Sequence, residues 1–220
     1  MTTQVLEADS MWLEYSGIKI LQNIYIKVQT GQVVGLLGRN GTGKSSLLRM
    51  IFGTLRGQNQ SVRVDKQYME YPYQQKGLLR YLPQHHFIPP HLSLRQVCDL
   101  YGVSFEEMCL YFPKLKVSER EKIGNLSGGG ARLVETLLIL LSPVSFVLLD
   151  EPFTHLAPVT VDLLKEVIQE QKKQKGIVVS DHAYSHVLDL SDEVYLIVPV
   201  GRSILLKDAR EELTLYGYTA

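Results

Sequence analysis

The chain reads Gly38-Arg39-Asn40-Gly41-Thr42-Gly43-Lys44-Ser45 at residues 38–45. This stretch fits the pattern G-x-x-x-x-G-K-[ST], in which the glycines let the backbone curl so that its N–H groups point at phosphate oxygens. Lys44 can reach the β and γ phosphates of a nucleotide, and Ser45 can place its hydroxyl on Mg²⁺. The alternative is a generic glycine turn, so the flanking residues decide between the two.

Both flanks predict the context that a phosphate-binding loop needs. Residues 33–37 are Val-Val-Gly-Leu-Leu, the composition of a central buried strand. Ser45–Phe52 predicts a helix that ends at Gly53, because glycine adopts the left-handed cap conformation easily. Further upstream, residues 24–29 alternate between apolar and more polar side chains, as in a half-buried strand.

The rest of the chain alternates between strands and helices. Helices are predicted around Ala131–Leu141 and Val159–Lys173, and strands at Phe146–Leu149, Ile177–Ser180 and Val194–Val198. This alternation implies a mostly parallel sheet with helices on both faces. Between about His85 and Leu126, prolines separate short helical pieces such as Leu94–Tyr101 and Phe105–Phe112, which predicts a small helical subdomain.

An acidic pair, Asp150-Glu151, follows the apolar strand at 146–149. Ligands of open α/β sheets bind at the carboxyl ends of the strands, where this pair would lie. Asp150 would hold Mg²⁺, and Glu151 would polarise the water that attacks the γ-phosphate. An acidic pair after a strand is, taken alone, more often a helix N-cap, and the glycine-rich loop reverses that preference.

Composition excludes several classes of protein. The 220 residues include 23 Lys+Arg and 23 Asp+Glu, so there is no global basic field for nucleic acid or anionic lipid. Cys98 and Cys109 are expected to be reduced thiols of a cytosolic protein. The start, MTTQVLEADS, does not resemble a signal peptide, and the apolar stretch 133–149 is too interrupted to span a membrane.

Residues 125–129 read Asn125-Leu126-Ser127-Gly128-Gly129 and resemble the signature sequence of ATP-binding cassette (ABC) ATPases. They precede Asp150 in the order and approximate spacing of that family. Taken alone, Ser127 could be merely a helix N-cap. The resemblance covers almost the whole chain, and it is closest to the cassettes of lipopolysaccharide-export and branched-chain amino acid systems in Leu126–Glu135 and Asp150–Pro158.

The resemblance implies an α/β P-loop NTPase fold. Its core would be a mostly parallel sheet, joined by an N-terminal antiparallel β subdomain and a small helical subdomain. The chain would form one ABC ATP-binding domain, residues 1–220, with its core at about 1–86 and 142–220 and its helical subdomain at about 87–141.

The resemblance also assigns roles to residues that would be unremarkable alone. Tyr15 takes the place of the aromatic that stacks on adenine, Gln84 that of the Q-loop glutamine, and His182 that of the switch histidine. The implied catalytic residues are Glu151, His182 and Gln84, and the implied metal ligands are Ser45, Gln84 and Asp150. The implied ATP-binding residues are Tyr15, Gly38, Asn40, Gly41, Thr42, Gly43, Lys44, Ser45, Ser46, Ser127, Gly128 and Gly129.

The chain departs from the family pattern in three places. Gly130 stands where the signature commonly ends in Gln or Glu, which lowers helix propensity by about 1 kcal/mol. Ala157 stands where aspartate is common, although branched-chain-type cassettes have a similar Leu-Ala-Pro. The stretch between Gln84 and Ser127 is short for the family, which predicts a trimmed helical subdomain.

The implied function is that of the ATP-binding and ATP-hydrolysing subunit of an ABC transporter, with ATP and Mg²⁺ as cofactors. Two cassettes would close head to tail around ATP and drive a transmembrane permease from the cytoplasmic face, without direct contact with nucleic acid. Two alternatives stay open. One is a soluble ABC ATPase that acts on ribosomes or nucleic acid, and the other is a degenerate nucleotide-binding regulatory module.

Overall fold

The fold is described by a computed structural model that covers residues 3–111, 117–199 and 201–217. The strands are β1 (Val5–Tyr15), β2 (Ile18–Gln29), β3 (Val33–Gly38), β4 (Asn59–Val64), β5 (Gln67–Tyr68), β6 (Leu79–Leu82), β7 (Phe146–Asp150), β8 (Gly176–Ser180), β9 (Glu193–Ile197) and β10 (Ser203–Leu206). The helices are α1 (Lys44–Phe52), α2 (Leu94–Tyr101), α3 (Phe105–Tyr111), α4 (Gly128–Leu141), α5 (Pro158–Lys172), α6 (Tyr184–Leu190) and α7 (Ala209–Leu215). Short 3₁₀ turns occur at Pro72–Gln74 and Ile123–Asn125.

Two sheets organise the chain. The larger has the strand order β10-β9-β3-β8-β7-β6, in which neighbours from β9 to β6 are parallel and β10 pairs antiparallel with β9. The smaller sheet has the order β2-β1-β4-β5, and its pairs are antiparallel. The prediction of a mostly parallel core with an N-terminal antiparallel sheet is confirmed.

The central strands are apolar because both of their faces are covered. Every residue of β7 and β8 is buried, and so are the first five of β3. By contrast, β2 buries alternate residues from Ile24 onward, as its sequence predicts. Strands that are buried on both faces lose the apolar and polar alternation, which explains the continuous hydrophobic runs.

Two hydrophobic cores lie on opposite faces of the larger sheet. One fills the space between that sheet, the smaller sheet and α1, and includes Leu47, Met50 and Phe146. The other joins the sheet to α4, α5 and the helical segment around α2 and α3. Eleven of the residues of α4 are buried, so this helix packs on the sheet and on the helical segment together.

The predicted elements are found with boundaries shifted by a few residues at most. The helix predicted at Leu94–Tyr101 is observed at those residues, and the one predicted at Phe105–Phe112 is observed to Tyr111, with Phe112 outside the described residues. Gly53 ends α1 in the left-handed conformation, as expected. Within the described ranges, no helix combines the length and the apolar character that crossing a bilayer requires.

Candidate nucleotide site

The phosphate-binding loop lies between the carboxyl end of β3 and the first turn of α1. Gly43 caps the helix with φ +95°, and a Cβ atom there would lie 2.8 Å from carbons of Ile20 and Leu21. A side chain is therefore excluded at this position by conformation and by space. The loop brings backbone N–H groups and the positive end of the α1 dipole to one point, which suits a phosphate.

The side chain of Lys44 is folded back onto the loop that it follows. Its Nζ atom donates hydrogen bonds to the carbonyl oxygens of Gly38 at 2.6 Å and Arg39 at 3.3 Å. Burial lowers the pKa of Lys44, while the charges of Asp150 and Glu151 act against that fall. Among the described residues, the hydrogen-bond acceptors of this buried ammonium are backbone carbonyls, so it is well placed to bind phosphate oxygens.

Asp150 ends β7 beside the loop. Its Oδ2 atom accepts a hydrogen bond of 3.0 Å from the hydroxyl of Tyr81 on β6. Burial raises the pKa of Asp150, and hydrogen bonding by Ser45 and Tyr81 opposes that rise. Its Oδ1 atom is buried and, among the described residues, has no donor at hydrogen-bonding distance. A buried carboxylate oxygen of this kind beside a serine hydroxyl matches the oxygen ligands that Mg²⁺ prefers.

The carboxylate of Glu151 contacts two side chains from distant parts of the sequence. Its Oε1 atom accepts a hydrogen bond of 3.0 Å from Gln84 Nε2 and lies 2.6 Å from His182 Nε2. Glu151 is itself 5% exposed and adopts φ +54°, a left-handed conformation that is rare outside glycine. Strained backbone of this kind concentrates at functional sites.

Lys44, Gln84, Glu151 and His182 line one open cavity of about 400 Å³. Its walls are formed by Tyr15, Ile20, Asn40, Gly41, Gly43, Lys44, Ser45, Ser46, Gln84, Glu151 and His182. Tyr15 is 49% exposed and lines the cavity, so a planar base could stack on its ring. Gly38, Thr42 and Asp150 are not among these wall residues. The Gly38 carbonyl accepts a hydrogen bond from Lys44, the Thr42 hydroxyl donates to the Arg39 carbonyl, and Asp150 accepts from Tyr81.

The signature residues lie elsewhere on the molecule and do not contribute to the described walls of this cavity. Ser127 is the N-cap of α4, and its Oγ atom accepts a hydrogen bond of 3.1 Å from Gly130 N–H. Gly129 lies against the loop after β7, because a Cβ atom there would be 2.6 Å from the carbonyl oxygen of His155. In this structure Ser127 therefore acts as the N-cap of α4.

Some residues of the site were missed by the reasoning from sequence. Tyr81 contacts Asp150, and Arg132 donates hydrogen bonds to the carbonyl oxygens of Asp150 and Glu151. The available signal was the presence of Arg132 and Glu135 in an otherwise apolar helix, since buried charges occur almost only with partners. The side chain of His86 is 50% exposed and contacts Glu135 Oε2 through its Nδ1 atom at 2.9 Å.

Comparison with known proteins gives the class to which this fold and loop belong. The sequence model described as "ABC transporter" matches residues 21–154, which is more than half of the chain. The chain therefore belongs to the ABC transporter family, as an ATP-binding protein. Membership of this family implies that the chain hydrolyses ATP.

Individual relatives agree with this assignment. The chain is 26% identical to the lipopolysaccharide export system ATP-binding protein of Haemophilus influenzae, over 88% of this chain and 86% of the relative. It is 26% identical to a high-affinity branched-chain amino acid transport ATP-binding protein of Pseudomonas aeruginosa, over 88% of both chains. The similarity to these two systems was expected from the sequence.

Solved structures share the fold. An ATP-binding subunit of an ABC transporter superimposes with a TM-score of 0.80 at 24% identity, covering 97% of this chain and 95% of the other. An ATP-binding cassette of an ABC transporter in its ADP conformation gives a TM-score of 0.71 at 23% identity, covering 92% and 90%. At these identities the likeness concerns the fold alone.

Proposed function

We propose that the chain hydrolyses ATP in a Mg²⁺-dependent reaction at sites shared by two cassettes, and that this drives a membrane-spanning partner. The observation that supports it most directly is the convergence of Lys44, Gln84, Glu151 and His182 on one cavity. A cation, an amide, a carboxylate and an imidazole are the groups needed to hold phosphate oxygens and orient an attacking water.

Each residue has a role that follows from its contacts. The loop N–H groups and Lys44 bind the phosphates, and Lys44 exchanges its carbonyl partners for phosphate oxygens. Glu151 accepts a proton from the attacking water, because it is the carboxylate that faces the cavity. His182 and Gln84 hold its Oε1 atom and orient the water and the γ-phosphate. Tyr15 stacks on the base.

The proposed metal ligands are Ser45, Asp150 and Gln84. The free buried Oδ1 of Asp150 and the Ser45 hydroxyl fit a hard cation, and Gln84 adds an amide oxygen. When bound, Mg²⁺ neutralises charge on the β and γ phosphates. Tyr81 keeps the Asp150 carboxylate oriented, and Glu151 is left free to face the water.

The second cassette is needed because Ser127, Gly128 and Gly129 lie outside the cavity that holds Lys44. A glycine-rich helix start presents N–H donors and a positive dipole end, which would complete the γ-phosphate site of a facing subunit. We therefore place these residues in a head-to-tail dimer that ATP closes and hydrolysis loosens. We also retain the domain division proposed from the sequence, in which the helical subdomain covers about residues 87–141.

A permease on the cytoplasmic face is the partner that best fits the family. One matched relative is named as the ATP-binding protein of a lipopolysaccharide export system and another as that of branched-chain amino acid transport. Because these cargoes differ, transport direction and cargo would be set by the membrane partner. The coupling segments of that partner would dock near Gln84 and the helical subdomain.

Two measurements test the proposal. Purified chain should release phosphate from ATP only with Mg²⁺, and Glu151→Gln should lose that activity. Tagged chain purified from detergent-solubilised membranes of its native host should carry a multispanning protein in stoichiometric amount. Recovery with ribosomes or DNA would instead favour a soluble ABC ATPase, and nucleotide binding without hydrolysis would favour a regulatory module.

A further inference from the structure

A buried ion pair on α4 is not used by the nucleotide chemistry described above. The side chains of Arg132 and Glu135 are 3% and 0% exposed, and Arg132 Nη1 lies 3.8 Å from Glu135 Oε2. The rest of α4 is largely apolar. Because burying two charges is costly even when they are paired, the pair must be fixed by further hydrogen bonds.

Arg132 joins two separate segments of backbone. Its Nη1 atom donates to the carbonyl oxygen of Pro83 at 2.7 Å. Its Nη2 atom donates to the carbonyl oxygens of Asp150 at 2.5 Å and Glu151 at 2.9 Å, and Nε reaches Glu151 at 3.3 Å. One rigid guanidinium thus connects the residue before Gln84 to the end of β7.

Glu135 fixes the other side of the segment that contains Gln84. Its Oε1 atom accepts hydrogen bonds from the N–H groups of Phe87 at 3.0 Å and Ile88 at 3.4 Å. Its Oε2 atom contacts His86 Nδ1 at 2.9 Å, and the side chain of His86 is 50% exposed. The loop at 83–88 is therefore attached to α4 at both ends.

The backbone of Glu151 depends on the same arginine. Its left-handed conformation, φ +54°, is held by its N–H, which donates to Ser180 O at 2.7 Å, and by its carbonyl, which accepts from Arg132. Loss of Arg132 would leave the Glu151 carbonyl oxygen without this donor. The direction of the Glu151 carboxylate would then be less well fixed.

We propose that Arg132 and Glu135 are positioning residues that couple the loop at 83–88 to the backbone of Glu151, so that displacement of one segment displaces the other. Neither side chain lines the nucleotide cavity. The exposed side of His86 makes this link accessible from the molecular surface.

Hydrogen exchange of the purified, nucleotide-free chain tests the link without requiring activity. The hydrogen bonds of the Glu135 side chain go to residues 86–88. Glu135→Gln should nevertheless speed amide hydrogen exchange at 151–156 as well as at 86–88. The reporting amides are those of Glu151, Phe153, Thr154 and Leu156, which are hydrogen-bonded in the structure. Ile139→Val, a buried change on the same helix, serves as the control for general loosening. Faster exchange confined to 86–88, or equal in the control, overturns the proposal.

Kinetics give a second test, which rests on the proposed ATP hydrolysis. Arg132→Gln should lower kcat about tenfold or more while KM for ATP changes by less than about threefold, because orientation is lost and binding is kept. Arg132→Lys should restore part of kcat, since one ammonium can serve some of the carbonyls. A wild-type kcat in Arg132→Gln overturns the inference. An inactive wild-type chain would instead refute the proposed function and leave hydrogen exchange to decide the link.

Discussion

His182 Nε2 lies 2.6 Å from Glu151 Oε1, and this contact brings together residues from the ends of two neighbouring strands, β8 and β7. Gln84 Nε2 reaches the same oxygen at 3.0 Å. Three polar side chains therefore meet at the carboxyl edge of the parallel sheet, facing the loop that carries Lys44. The contact holds the Glu151 carboxylate at the wall of the cavity, where the proposed base would have to lie.

Glu151→Gln tests the role of the carboxylate. The amide keeps the size of the side chain but cannot accept a proton from water, so phosphate release should fall by a factor of about 10² to 10⁴. ATP binding should persist, and a dimer should accumulate with ATP in gel filtration. Phosphate release at the wild-type rate would reject Glu151 as the base.

Lys44→Ala tests the phosphate site. The variant loses the cation that would contact the phosphates, so the Kd for ATP should rise at least about tenfold, as for the loss of a charge-assisted hydrogen bond. Isothermal titration of the nucleotide-free chain measures this effect. Lys76→Ala, a change at an exposed lysine, is the matched control and should leave the Kd unchanged.

The sequence predicted the fold and the phosphate loop well because both follow from local patterns. The apolar run at 33–37 and the glycines of the loop fix a strand, a turn and a helix without help from distant residues. The contacts of Tyr81 and Arg132 could not be predicted, since they depend on how β6, α4 and β7 meet in space. Which carbonyls an arginine reaches is a tertiary property that spacing along the chain does not encode.

Tyr81→Phe tests the support of the proposed metal ligand. The change removes the donor to Asp150 Oδ2 and leaves the ring in place. A lost hydrogen bond of about 1 kcal/mol should raise the Mg²⁺ concentration for half-maximal ATP hydrolysis by about fivefold, with a smaller effect at saturating Mg²⁺. Tyr73→Phe is the control, because that ring is exposed and does not contact Asp150. An unchanged Mg²⁺ dependence would show that Tyr81 does not orient this carboxylate.

Gly129→Ala tests the close approach between the signature and the loop after β7. The added Cβ would lie 2.6 Å from the backbone oxygen of His155, so the free energy of unfolding should fall by about 1–3 kcal/mol. Gly128→Ala is the matched control, since a Cβ there meets no atom within 4 Å, and it should be neutral or stabilising by up to about 1 kcal/mol. Urea unfolding of both variants measures the difference, and equal stabilities would contradict the packing.

The burial of Lys175 should make the free energy of unfolding depend on pH, independently of catalysis. Its Nζ atom is buried and donates to the carbonyl oxygens of Leu140 and Ser142 and to Gln171 Oε1, which closes the carboxyl end of α4. Burial lowers the pKa of Lys175 to about 8 from its ordinary value of 10.5. Between these values the unfolded chain binds more protons than the folded chain, so this residue makes the free energy of unfolding rise with pH.

The comparison with Lys175→Met isolates that effect. The variant should be less stable than the wild type by about 1–3 kcal/mol at pH 7.5, because two buried carbonyls lose their donor. From pH 7.5 to pH 9.5 the stability difference should widen by about 1–2 kcal/mol, since only the wild type gains from release of the proton. Urea unfolding of both proteins at the two pH values gives the difference directly. A difference that does not change with pH would mean that Lys175 keeps its proton in the folded chain at pH 9.5, held there by its three oxygen partners.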